Sequence, residues 1–207
     1  MKELPRNVIR ETAKGLCCIN IGDQLLDERN VYLNEAVDEA SALDLLQQFM
    51  YLEKKSRVAK INFFINSPGG SVPDGMLVYD YLRMMEAPVR TICTGRACSM
   101  GAILFLAGTE RIMFPHSELM IHDASFGNAN FNGLKPDEIE EKTKELVETC
   151  KMLRIIVAER TGRSIEEVTE KMKKDSFFKA AEALEFGLAN GTVKSAAELV
   201  IEHEKII

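Results

Sequence analysis

The chain has 207 residues, a formal net charge of −6, 46% hydrophobic and 28% charged residues, enough for one sizeable α/β domain of ordinary soluble composition. The acidic balance excludes a nucleic-acid footprint, and no apolar run approaches the ~20 residues of a membrane span. The opening MKELPRNVIRETAKG is too polar for a secretory signal.

No repeat, low-complexity segment or linker interrupts the chain. Residues 31–33, VYL, suit a short strand. Residues 40–53 place Ala42, Leu45, Leu46, Phe49 and Leu52 on one face, which predicts a helix. INFFIN (61–66) is apolar and bounded by SPGG, as a buried strand would be. Residues 74–86 repeat apolar side chains at a helical period, and VRTICT (89–94) is β-branched and reads as a strand. A short apolar helix is expected after Ser99, then two strands, RIMF and ELMIH. From 136 to 160 a long helix carries Ile139, Thr143, Leu146, Cys150, Leu153 and Val157 at alternating spacings of four and three. Such a seam can pack against another helix, including one of another subunit. Ser164 and Glu167 are spaced as a capping box, and AAEALEFGLAN predicts a short helix ending at Gly187. Strands alternating with helices predict an α/β fold with largely parallel strands.

The chemistry gathers around GRACSMGA (95–102). Ser99 would follow a strand and open a helix, whose N-terminus offers free N–H groups and a positive dipole end. Those features suit a nucleophile whose attack generates an oxyanion. The pattern is not the GxSxG elbow, because Ala97 holds the first glycine place, and a small residue filling a tight turn remains the alternative. A nucleophilic serine needs a base. Among three histidines, His203 lies in a charged tail and His116 in a turn between strands. His122 ends an apolar strand, where it can project into a cleft or simply bond a backbone carbonyl. NSPGG (66–70) could present bare N–H groups as oxyanion donors or form a plain turn. Five cysteines, at 17, 18, 93, 98 and 150, form no CxxC spacing. An odd count without a signal peptide favours reduced thiols and a cytoplasmic location.

Taken together, FINSPGGSV, GMLVYDYL, ICTGRACSMGA, LMIH, TGRS, KKDSFF and AAEALEFGL resemble the proteolytic subunits of the Clp protease, the ClpP family of the crotonase-like superfamily. The likeness runs from about residue 8 to about residue 193. It implies a crotonase-like α/β fold with repeated β-β-α units and a protruding handle helix. It divides the chain into an axial segment (1–20), a head (21–123 and 161–196), a handle (124–160) and a tail (197–207). It also implies roles: Ser99 as nucleophile, His122 as base, Asp175 as acid, and the N–H groups of Gly70 and Met100 as the oxyanion hole. Asp123 competes for the part of the acid. Neighbours on a strand point to opposite faces, so Asp123 is expected to point away from the His122 ring.

What the resemblance implies is a cytoplasmic serine endopeptidase, without metal or cofactor, acting on unfolded polypeptides. Heptameric rings, stacked as a tetradecamer, would enclose the sites. A partner AAA+ Clp unfoldase would hold the ATP, since this chain has no Walker A motif. Other readings are an acyl-CoA hydratase or isomerase on the same fold, and a noncatalytic ring subunit. Several positions depart from the family pattern. Cys98 replaces a small alanine. The segment DASFGNANFNGLKPDE is long and keeps only Gly127 of a double glycine, where the family forms a ring-contact strand. Lys173 stands where an acid usually serves ring–ring contacts. In the apolar pocket that receives the unfoldase, Phe64 keeps an aromatic wall, but Asn62 replaces a ring. An unpartnered amide there predicts weak docking of a standard unfoldase.

Overall fold

The computed structural model describes residues 7–12, 15–127 and 131–200. An exposed antiparallel hairpin, β1 (Asn7–Thr12) and β2 (Gly15–Asn20), comes first. Helix α1 (Ile21–Asp27) follows, capped by the Asn20 side chain, which accepts from the Gly22 N–H at 2.7 Å. Repeating strand–helix units then build the body: β3 (Asn30–Leu33), α2 (Glu39–Lys55), β4 (Ile61–Ser67), α3 (Val72–Met84), β5 (Val89–Cys98) and α4 (Met100–Ala107). Strands β6 (Glu110–Met113) and β7 (Glu118–Ile121) lead to the long α5 (Pro136–Thr161). The chain closes through α6 (Ile165–Met172), β8 (Ser176–Lys179), α7 (Ala180–Phe186), β9 (Gly191–Thr192) and a 3-10 turn, Ala196–Leu199.

Five strands run parallel in the order β3-β4-β5-β6-β9. The ten residues of β5 serve two neighbours in turn. Arg90–Cys93 pair with β6, and Arg96–Cys98 pair with β7. Between these halves the register against β4 slips, with Ile65 opposite Cys93 but Ser67 opposite Ala97. Such a bulge bends a strand and re-aims its end. Gly95 permits the bend, because a Cβ there would fall 2.7 Å from Asn66 Oδ1. In the main sheet the expectation of largely parallel strands holds except for β8, which runs antiparallel to β7.

Helix α4 is the centre of the core. All eight of its residues are buried, as an all-round apolar helix requires. It packs against β5, α3 and the C-terminal part of α5. Leu153 and Val157 of α5 join that core, Leu146 and Cys150 are half-buried, and Ile139 and Thr143 are exposed. The predicted seam therefore grades from exposed at its N-terminal end to core at its C-terminal end. Ser164 and Glu167 form the expected capping box, with bonds of 3.2 and 3.1 Å, and Gly187 ends α7 in the left-handed conformation.

Two buried arginines bind carbonyls rather than carboxylates. Arg29 donates to the carbonyls of Leu52, Ser56, Ala59 and Lys60. Arg111 donates to those of Gly108, Arg160, Gly187 and Leu188. Several of these carbonyls lie at or just beyond helix C-termini, where the backbone is electronegative. Burial first, and then Arg160 and Arg83, draw the Arg111 pKa down to about 10, which leaves it charged at neutral pH.

The segment before α5 differs from expectation. Among the described residues from 124 to 135, none is in a strand. A lone strand has no backbone partners within one chain, and the segment turns instead at Gly127 and Gly133, both with positive φ. Asn62 also requires a correction. Its side chain is fully buried, not an unpartnered amide facing a docking pocket. It donates to Asn30 Oδ1 at 2.9 Å and to the Leu199 carbonyl at 2.8 Å, and accepts from Arg90 Nε at 2.8 Å. Arg90 also holds the Glu198 carbonyl at 2.8 Å. Phe64 stacks on Tyr32, with 4.8 Å between ring centres.

Candidate active site

Ser99 occupies a sharp elbow between β5 and α4. Its φ of 53° and ψ of −122° are rare for a residue with a side chain, a strain of about 1–3 kcal/mol. The elbow is held from both sides. The Ser99 N–H donates to the Met120 carbonyl at 2.8 Å, and the Ser99 carbonyl accepts from Ala102 at 2.9 Å. Ser99 is also the N-cap of α4, yet its side chain makes no capping bond. Such a cap is typically worth ~1 kcal/mol. Here the hydroxyl is turned instead to His122 Nε2, 2.8 Å away.

His122 follows the last residue of β7, and Asp175 precedes the first residue of β8. In the antiparallel register Ile121 stands opposite Ser176, so the next cross-strand position brings His122 and Asp175 together. His122 Nδ1 lies 3.2 Å from Asp175 Oδ1. Asp123 faces elsewhere, as expected, and forms a two-pronged ion pair with Arg154 of α5, whose Nε donates to Oδ1 at 2.8 Å and whose Nη2 reaches Oδ2.

The NSPGG loop brings backbone N–H groups to the same place. Val37 bridges Gly70 in parallel fashion, its N–H bonding Gly69 O and its carbonyl accepting from Ser71. In a parallel bridge the central residue's own N–H points the other way. The loop adjoins the Ser99 elbow at Gly69, where a Cβ would fall 3.0 Å from Met100 N. Met100 is the first residue of α4, so its N–H has no acceptor within the helix. Gly69 and Met100 thus adjoin Ser99, with Gly70 next along the loop.

An apolar recess adjoins Ser99 and His122, lined by Val72, Met100, Ile103, Leu153 and Met172. A larger groove, of about 870 Å³, lies between α6, β8 and α7, lined by Glu166, Glu170, Lys171 and Phe177 among others, and contains none of the three predicted catalytic residues. Cys98 is buried, and burial raises its thiol pKa, with Asp175 and Glu118 adding to the rise. It is therefore a poor thiolate source. Lys173 pairs within the chain with Glu170. His116 is exposed in the turn before β7, and His203 lies outside the described residues. Among the described residues, no cluster of His, Cys, Asp or Glu could hold a metal ion.

The structure therefore brings together Ser99, His122 and Asp175, with Met100 next to Ser99 in the chain and Gly70 in the adjoining loop. Sequence reasoning missed Arg154. A charge beside the buried positions 153 and 157 was the signal available.

A serine at a strained elbow, a histidine on its hydroxyl and a carboxylate behind the histidine define the class of serine hydrolases. The chain belongs to the Clp protease family, whose family model, described as "Clp protease", matches residues 13–196. It is 35% identical over 193 residues to the ATP-dependent Clp protease proteolytic subunit 2 of Chlamydia trachomatis serovar D. That match covers 92% of this chain and 93% of the relative. The chain is accordingly a serine-type endopeptidase, a proteolytic subunit. No helix among the described residues is long and apolar enough to cross a membrane.

Proposed function

We propose that Ser99, His122 and Asp175 form the catalytic triad. Ser99 Oγ attacks the scissile peptide carbonyl while His122 Nε2 takes its proton. The C=O electrons move onto oxygen, where the N–H groups of Gly70 and Met100 receive the negative charge. Asp175 keeps the Nδ1 proton on its own side and stabilises the imidazolium. As the tetrahedral intermediate collapses, the C–N bond breaks and His122 returns the proton to the leaving amine. Water then enters, loses its proton to Nε2 and attacks the acyl-serine ester. Collapse of this second intermediate gives the carboxylic acid and returns the proton to Ser99.

The observation that carries this reading is the 2.8 Å contact between the Ser99 hydroxyl and His122 Nε2, made by a serine that forgoes its capping bond. A hydratase or isomerase acting on an acyl-CoA would have no use for this line of three side chains. Family membership supports the wider setting: cytoplasmic heptameric rings stacked as a tetradecamer, unfolded polypeptides as substrates, and a AAA+ Clp unfoldase that supplies the ATP-driven step. No step of the hydrolysis calls on a cofactor. Ser99→Ala should abolish hydrolysis of a short fluorogenic peptide and labelling by a fluorophosphonate, with assembly intact by sedimentation velocity. Undiminished labelling of that variant would remove Ser99 from its role.

A further inference from the structure

The carboxylate next to the histidine has an occupation of its own. We infer that Asp123 and Arg154 are positioning residues for the His122–Asp175 pair, an inference that rests on the proposed triad. Asp123 is tied in two directions. Its carboxylate is gripped by the Arg154 guanidinium in a planar fork, the geometry that fixes direction as well as distance. Its backbone N–H donates to the Met172 carbonyl at 2.7 Å. Met172 is buried at the end of α6, three residues ahead of Asp175. One residue thus fastens the peptide after His122 to α5 on one side and to the approach to Asp175 on the other.

The pair is sheltered, with side-chain exposures of 22% for Arg154 and 23% for Asp123. Cys150, one turn earlier on α5, adds a second tie to the same loop through the Ala124 carbonyl at 3.5 Å. Residues four apart share a helix face, so a single face of α5 holds the chain on both residues after the histidine. The charge matters too. An unpaired carboxylate beside His122 would compete with Asp175 for the imidazolium that forms on attack. Arg154 neutralises Asp123 and leaves Asp175 as the carboxylate directed at the ring.

The register of β7 and β8 alone sets the His122–Asp175 spacing only as well as the ends of two four-residue strands can. Strand ends fray, and Asp175 is 61% exposed at its side chain. The Asp123 clamp lies one residue past the end of β7 and supplies the missing restraint.

The test measures kcat and KM for a fluorogenic peptide per active site, with sites counted by fluorophosphonate titration and assembly state and melting temperature recorded for each variant. Asp123→Asn and Arg154→Met should each lower kcat per titrated site by ~10- to 100-fold, since a small misplacement can cost that much, with KM little changed. The double variant should lose no more than the worse single one, as partners in one contact do. Arg154→Lys should recover part of the rate, keeping the charge but not the fork. Unchanged kcat per site in both single variants, or losses that multiply in the double, would overturn the inference. A merely structural role would reduce the number of titrated sites and leave kcat per site alone, which also overturns it. Failure of the triad itself would read differently: Ser99→Ala would then keep its activity.

Discussion

Gly69 lies directly against Ser99. A Cβ on Gly69 would fall 2.7 Å from Ser99 Cβ and 2.5 Å from the Cys98 carbonyl oxygen. The NSPGG loop and the Ser99 elbow therefore touch through a residue with no side chain.

Gly69→Ala should consequently disable the site. Its φ of 90° would cost any side chain about 1–2 kcal/mol, and the overlap with backbone adds to that. The loop must move away from Ser99, so kcat should drop by ~100-fold or more. Gly162→Ala is the matched control, with φ of 71° and nothing within 4 Å. It should lower the melting temperature slightly and leave turnover alone. Equal turnover in the two variants would contradict the contact.

Asp175→Asn should lower kcat by up to ~10⁴-fold, because the amide neither holds the Nδ1 tautomer nor stabilises the imidazolium. The larger loss at Asp175 than at Asp123 identifies the acid. Steady-state kinetics on the paired variants decides it, and comparable losses would leave the assignment without support.

The cysteines should divide by burial. Cys17 and Cys18 are exposed on β2. Burial pushes the Cys93 thiol up to about 12 and raises Cys98 as well. A raised thiol pKa leaves the neutral, unreactive form at pH 8. Brief iodoacetamide treatment of the native protein should therefore modify Cys17 and Cys18 and spare Cys93 and Cys98, as read by peptide mass spectrometry. Cys98→Ala should keep most activity. Rapid Cys98 modification that tracks loss of activity would point to a thiol mechanism instead.

Asn62→Tyr should loosen the C-terminal segment. The ring would overfill a fully buried position, at about 1–3 kcal/mol, and would strip the Leu199 carbonyl and Arg90 Nε of their partner. Hydrogen exchange at residues 196–200 should accelerate, while affinity for a standard Clp unfoldase should not rise. Unchanged exchange with tighter unfoldase binding would restore the view of Asn62 as a surface residue of the docking pocket.

The strand and helix order from residue 31 to Gly187 could be read from periodicity and breakers, because each element buries a continuous face. Strand β8 could not. SFFK is four residues long, carries no alternation that separates it from a loop, and is a strand only because β7 lies beside it. The Asn62 network was equally hidden, since its partners come from Asn30, Arg90 and a turn far along the chain. The site residues were legible through family motifs. What periodicity alone could supply was the setting, a serine opening a helix and a histidine closing a strand. The fork between Asp123 and Arg154 joins a loop to the middle of a helix, a contact that no local pattern announces.

The carbonyls at the end of α4 are held by Arg160, which donates to Leu106 and Gly108 at 2.7 Å. Arg111 in turn donates to the carbonyls of Gly187 and Leu188. A growing polypeptide therefore presents Ser99 before His122, and Asp175 after both. The helix behind the hydroxyl is clamped only when nearly the whole chain has been made. A half-synthesised copy therefore lacks His122, Asp175 and the carbonyls that hold Arg111.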